Sequence, residues 1–594
     1  GIGIGYAALQ NITSAGETIA IGAYAGDAIT TSSNNTAIGH AALSTVATGD
    51  GNNTVMGREA MRDAGATSSY NTAVGSSSFG YGGGTQVGNT GLGYGAGYYP
   101  SGSRNTFIGF KSGYGSSATV AYNNVGVGSE TLVSITDGYH NVAMGDQAGY
   151  SITTGPYNVG LGSDALRSVT DGAGNVGIGR YAGSNLGSHS YTVAIGSSAG
   201  QDAVTSYSVL LGYTAGYAIT TADYVVGVGS HALVSLTEGT GNTAVGYSAL
   251  RLTTTGNYNT ALGWHALYNN VHGDRNTAIG YQALNASTPS AGGGQNTAIG
   301  YGAGYKTTTG HTNVYMGYIA GYEITTGERN VVIGHEAAQN ANTMNYSVVI
   351  GNAAGRNISG SSEAVIVGRN AGYYVSGNKN TFIGSSAGIA NVVGGTHATQ
   401  ESVAIGRNAM YYNSTANYNV AVGNDALQGA STGMTGDNNV AVGRQAMLNT
   451  STGYNNVAVG YHAGLSTTTG IGNVAVGYNA GRSLTDGVNN VFVGESAGYY
   501  ETGDYNTFLG HRAGEGGSGE PDSARNVAVG YLSMYRQSGA NYNVAMGTYS
   551  AAGADFSGVS NVMIGYAAGQ EATSGDANTL IGYYAGSSGT THTH

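Results

Sequence analysis

Five tyrosines raise the first chemical question: Tyr281, Tyr301, Tyr318, Tyr461 and Tyr478 each stand directly after a recurring glycine. Neighbours among them sit about one repeat apart, so on a regular scaffold they would form short outward rows. A row of phenol rings can stack on sugar rings or on a neighbouring chain, which makes these residues the candidate glycan or partner contacts. The same rows can instead only steady a sheet through ring-to-ring contact. The chain holds 46 Tyr against 7 Phe and 1 Trp, so tyrosine is the recognition chemistry it has in quantity.

Other apparent motifs read as structure. Glu515, Glu520 and Asp522 are the densest carboxylates, in "GEGGSGEPDSAR", but glycan cleavage needs two carboxylates held rigidly at a fixed separation. A Gly/Ser-rich loop is a poor clamp. Gly126-Val127-Gly128 and Gly227-Val228-Gly229 begin like a dinucleotide loop, yet no helix or downstream acidic ribose ligand follows. His592 and His594 are the nearest approach to a histidine metal pair and lie in a terminal tail. "TDG" at 136–138, 170–172 and 485–487 is a turn rather than a calcium repeat. Adjacent threonines such as Thr325 and Thr326 point to opposite faces of an extended chain, which argues against a flat ice-binding array. The expectation is no catalytic, cofactor-binding or metal-binding residue, and no enzyme.

The elements that would position the tyrosines are repeats. The glycine closing each "NVAVG" or "NTAIG" recurs about every 17 residues from Gly5 to Gly582, giving about 34 units. The residue before it is Ile, Val, Leu or Met and two earlier stands Val or Thr, which is strand spacing. Three positions after it comes a small residue, as at Ala25, Ala165 and Ala463, marking a crowded inward site. The next-door position accepts Tyr247, Trp264, Asp146 or Arg369 and faces solvent. A Thr/Ser-Gly turn such as "SITTG" (151–155) closes the unit. Each unit therefore reads as strand, glycine turn, short second strand, turn. Such a unit cannot bury its own apolar face, so the chain is expected to be all-β: one continuous parallel β-solenoid (β-roll) over 1–594, roughly 160 Å long at about 4.8 Å per coil. Asn141, Asn158, Asn456 and Asn473, which open strands, would form an amide ladder or hold a turn. Longer loops near 285–295, 388–402, 428–438 and 514–525 should leave the coil at one edge.

Composition sets outer bounds. With 106 Gly, 4 Pro, no Cys and 8% charged residues, the chain is no ordinary set of globular domains. A net charge of −12 offers no basic stripe for a phosphate backbone, so nucleic acid is not an expected partner. No run of eighteen apolar residues is present, so membrane insertion is not expected. Small inward side chains return too little to balance the ordering of a coil, and a side-by-side homotrimer would bury a further face. The column two before the glycine, mostly Ala or Gly with Phe107, Phe382, Phe492 and Phe508, is the candidate for that face.

Units such as "NTAIGYQALNAS" from Asn276 and "NTAVGYSALRLTTTGNYNTALGWHAL" from Asn242 resemble the repeat arrays of phage and phage-like tail-fibre proteins. More distantly, they are similar to the "NSVAIG" head repeats of trimeric autotransporter adhesins, whose period is shorter. The resemblance implies a non-enzymatic structural fibre shaft, on a virion surface or extracellular, that presents an attachment tip. The alternative is a cell-surface adhesin or filament subunit that binds host glycans along its flank. Partners would be further copies of the chain, as a trimer or an end-to-end filament, and a host glycan or receptor. Because ordinary repeats run to both ends, the chain is expected to be part of something longer.

Overall fold

The computed structural model describes residues 1–81, 83–99, 102–115, 120–288, 294–390, 399–517, 522–553 and 555–587. Glu520, His592 and His594 fall outside them, as do parts of the long segments 285–295, 388–402 and 514–525. Two compact units, Gly1–Gln295 and Asn296–His594, share one construction. The first runs from β1 (Ile2–Ile4) to β17 (Thr277–Ile279) and the second from β18 (Thr297–Ile299) to β34 (Thr579–Ile581). Within each unit every strand pairs in parallel with the next one in sequence, as in Val142↔Val159 and Val457↔Val474. Each unit is a parallel β-solenoid with a period of about 17 residues, and no helix occurs among the described residues.

The recurring glycine is fixed by two constraints together. Gly145 has φ +127, and a Cβ there would lie 2.6 Å from the carbonyl carbon and oxygen of Gly162, its equivalent one coil on. Gly530 has φ +135 and would meet the Gly547 oxygen at 2.6 Å. A left-handed dihedral and a backbone stacked against a backbone exclude any side chain.

The second strand expected after this glycine is absent. The backbone instead takes positive φ at alternate positions, as at His462 (φ 56) and Gly464 (φ 56). Their amides point to opposite neighbours: His462 N donates to Arg444 O (3.2 Å) in one coil and Gly464 N to Ala480 O (2.9 Å) in the other. Each left-handed non-glycine residue costs about 1 kcal/mol, and the hydrogen bonds to both neighbours offset that cost. Ala463 is buried as expected, so its spacing gave the inward side correctly while the backbone between is not extended.

Each strand from β2 to β33 turns its middle residue inward and its two flanking residues outward, as in the buried Ala458 between half-exposed Val457 and Val459. This corrects the expected oligomer face. The middle column, Phe107, Phe382, Phe492 and Phe508 included, is fully buried inside its own chain. In many coils the core it forms is balanced between two positions. In "TFIGFKSG" (106–113), "VYMGYIAG" (314–321) and "VFVGESAG" (491–498) a large middle residue is matched by glycine six positions on. In "VGLGSDAL" (159–166) and "VGVGSHAL" (226–233) a glycine is matched by leucine. The two positions share one slot: a Cβ on Gly498 would lie 2.8 Å from the Phe492 ring. Close packing leaves room for one large side chain per coil.

Asparagines close the interior at the start of the strand. Asn456 N and Nδ2 both donate to Asn439 Oδ1, each at 3.1 Å, and Nδ2 also donates to Gly470 O at 2.7 Å. Asn473 repeats this on Asn456 Oδ1 (3.0 and 3.0 Å) and Gly487 O (2.6 Å). The ladder and the turn clamp, alternatives in the sequence, coexist in one side chain, and every amide hydrogen and lone pair has work. Ser347 and Ser402 substitute a hydroxyl, as where Ser402 Oγ accepts from Asn419 N at 3.2 Å. Val225 and Ala364 interrupt the ladder.

Two stability outcomes follow for thermal or denaturant unfolding. Asn473→Leu should cost about 3 kcal/mol, because Asn490 N and Nδ2 lose their acceptor Asn473 Oδ1 while Asn456 Oδ1 and Gly487 O each lose one of two donors, whereas Asn473→Ser, which keeps a hydroxyl, should cost less than half of that. Leu210→Ala should cost about 3 kcal/mol through a cavity. Adding Gly216→Leu should restore most of it, because Gly216 (φ 58) matches Leu233 (φ 55) one coil on. Additive losses in the double variant would contradict the shared slot.

Candidate functional site

The five tyrosines lie in outward rows. Tyr318 stacks between Tyr301 (centroids 5.3 Å apart) and His335 (5.0 Å). Tyr461 stacks on Tyr478 at 5.2 Å and on His462 at 3.7 Å. Tyr281 stacks on Trp264 at 4.7 Å, and Trp264 on Tyr247 at 6.2 Å. In Tyr318 and Trp264 both ring faces are covered by neighbours in the same row, so what these rings offer a ligand is edge and polar rim. Arginines continue the theme beside the rows. Arg251 and Arg482 each donate through Nη1 to the Tyr268 and Tyr499 hydroxyls one coil on, at 2.5 Å in both cases.

A shallow cleft of about 400 Å³ opens in the second unit among Glu336, Asn352, Ala353, Arg356, Asn370 and Tyr373. Its origin is one small residue. Glu336, Ala353 and Asn370 hold the same left-handed position in three successive coils (φ 57, 51 and 56), and alanine between two longer side chains leaves the gap. Arg356 is locked in place, donating from Nε to Gln339 Oε1 (2.8 Å) and from Nη1 to the Tyr373 hydroxyl (2.9 Å). Glu336 Oε2 lies 3.4 Å from Arg356 Nε. A carboxylate, a guanidinium and two amides around a small floor can hydrogen-bond vicinal hydroxyl groups. Sequence reasoning missed this cleft, since its signal is an alanine in a column of variable residues.

Of the acidic candidates, Glu515 is buried and paired with Arg512, whose Nη2 reaches Oε1 at 2.8 Å, while Asp522 is exposed. The carboxylate with the unusual setting is another one, Glu501, fully buried in an inward column that holds Ile152, Val169 or Leu484 in other coils. Its Oε1 accepts from Gly503 N (2.9 Å) and Ser523 N (3.0 Å), and its Oε2 from Gln537 Nε2 (2.6 Å) two coils away. Gly517 occupies the intervening coil and supplies no side chain to separate them. Burial pushes the Glu501 carboxyl up to about 8 against the pull of those backbone donors.

Of the long segments, 428–438 is described completely. It leaves the ladder intact, with Val420↔Val440 paired across it, yet it is not a plain outward bulge: Met434 is buried and its N donates to Tyr412 O at 2.8 Å. The "TDG" segments are turns, with Thr170 Oγ1 and Thr485 Oγ1 donating to the Asp171 and Asp486 carboxylates at 2.9 and 3.0 Å. Among the described residues no three His, Cys, Asp or Glu gather closely enough to hold a metal ion, and no helix is long and apolar enough to cross a membrane. Compared with protein-family models the chain matches none, and no curated protein matches it in sequence.

Glu501 gives the molecule a pH dependence of known sign. The folded state keeps the proton up to about pH 8, whereas the unfolded chain releases it near the ordinary glutamate value of about 4.3. Stability contributed by the neutral carboxyl is therefore full in acid and lost as pH rises from about 4.3 to about 8. Unfolding midpoints of Glu501→Gln across that range should be flatter than those of the native chain by several degrees. Parallel curves would contradict the assignment.

Proposed function

We propose that the chain is a non-enzymatic structural shaft, tail-fibre-like, that extends and presents an attachment or receptor-binding tip. It works on a virion surface or outside the cell, with further copies of itself as its partners in a homotrimer or an end-to-end filament. The observation carrying this reading is the coil-by-coil constancy of the interior. The glycine contact and the asparagine bonds repeat at closely similar distances in both units, while the position directly after the glycine holds Asp146, Tyr247, Trp264 or Arg369 in different coils. Such a design fixes spacing and stiffness and leaves the residue beyond the glycine free to vary. The resemblance of the "NTAIGYQAL" units to tail-fibre arrays supports the same reading.

The cleft around Arg356 favours a second reading, a cell-surface adhesin or filament subunit that binds host glycans along its flank. A glycan array probed with the isolated chain separates the two. The shaft reading expects no glycan bound specifically and no reducing sugar released from any polysaccharide. A specific signal that Arg356→Ala weakens about tenfold, with the tyrosine rows intact, would replace it with the adhesin reading. Sugar release would overturn both.

A further inference from the structure

The outward side of the strands carries the most unusual surface of the molecule. Each of the strands β1 to β34 turns its first and third residues outward, half-exposed in most strands and exposed in the rest, and these are Thr, Val, Ile, Leu or Met without exception. No charged residue or amide interrupts the two columns in either unit. They are not sheltered by the chain itself: Leu92 and Leu509 are each 48% exposed, Met144 44%, Met546 41% and Val459 36%. A solvated sheet face alternates apolar and polar residues, with the polar ones outward. Here the outward side is aliphatic apart from the threonines that open some strands, which is closer to the pattern of a sheet buried on two faces.

The area decides that this is more than scattered surface hydrophobes. With about two methyl groups showing at each position, at ~30 Å² per methyl, one unit presents roughly 1,500 Å² or more of contiguous apolar surface. The largest patch on an ordinary monomer is about 300–600 Å², and a stable interface needs about 800 Å² from each partner. Within each unit the ribbon repeats at the strand spacing. A surface with the same spacing along its whole length, and equally devoid of charge, fits it best, and a second copy of this chain carries one.

Resting on the fibre reading, we infer that the outward strand columns are the interface at which copies of this chain associate side by side, apolar ribbon against apolar ribbon. The column first suspected from the sequence belongs to the core. The exposed columns flanking it do the joining, and the tyrosine rows, one residue beyond the glycine, border the joined surface and stay accessible.

The chain has no cysteine, so single introduced thiols report on the intact protein. Val459→Cys, the outward last residue of β27 in the second unit (Val457–Val459), is compared with Thr452→Cys in the exposed turn that precedes the strand. Both are treated with a maleimide while the mass is read by sedimentation velocity. The inference expects a multiple of 59.5 kDa, labelling at Val459→Cys at least tenfold slower than at Thr452→Cys, and equal rates after denaturation. The triple variant Val442→Lys, Val459→Lys, Val476→Lys should shift the mass toward a single chain while the β-sheet circular dichroism is kept. If the triple variant does not fold, the cysteine rates decide alone. A multimer with equal labelling rates would overturn the interface and leave the fibre reading standing. A monomer at tens of micromolar would overturn the interface and the self-association, while specific glycan binding by that monomer would remove the shaft reading as well.

Discussion

The buried asparagine ladder is the interaction on which the rest depends. An amide placed in an apolar interior costs several kcal/mol unless every donor and acceptor is met, and here it is met only if adjacent coils stand in one register. Asn456 and Asn473 each need the Oδ1 of the coil before and a glycine carbonyl of the turn beside them. A slip of one residue would strand three hydrogen-bonding groups per coil. Strands of three residues are too short to hold register through their own hydrogen bonds, so the ladder specifies what the strands cannot.

The other features follow from that fixed register. With coils locked in step, the recurring glycines stack backbone on backbone and tolerate no Cβ. The sequence then fills the interior from either wall, by Phe492 against Gly498 or by Gly160 against Leu166, and where both positions are glycine, as at Gly91 and Gly97, the Phe79 ring of the preceding coil occupies the space. Outside, equal spacing turns any repeated residue into a row. That converts tyrosines into stacks such as Tyr301–Tyr318 and aliphatic strand flanks into a continuous ribbon. One small residue in a column, Ala353, is enough to open a cleft.

The repeat length, the strand at "VAV" or "TAI" and the inward alanines were legible because each is a column of like residues at constant spacing. The second strand was misread for a physical reason. Extended and alternating left-handed backbones both place Ala463 inward, and side-chain periodicity does not distinguish them where glycine is not required. The facing of the apolar pair was also hidden, since Val457 and Val459 look like core residues until Ala458 between them is seen to be the buried one. Glu501 carried no local signal: its burial depends on Gly517 and Gln537 in the following coils, and the long loop between obscures their alignment.

Residue-resolved hydrogen exchange on the native protein tests the central claim most directly. If the ladder holds the register, backbone amides of Asn456, Asn473 and Asn490 should be protected at least a hundredfold over those in the turn around Thr452. Protection should dip at Asn242 and Asn380, whose amides face Val225 and Ala364 in place of a side-chain acceptor, while Val225 N and Ala364 N keep the Ser208 and Ser347 hydroxyls. Uniform protection across those breaks, or asparagine amides exchanging as fast as the turns, would show that the strands hold the coils together without it.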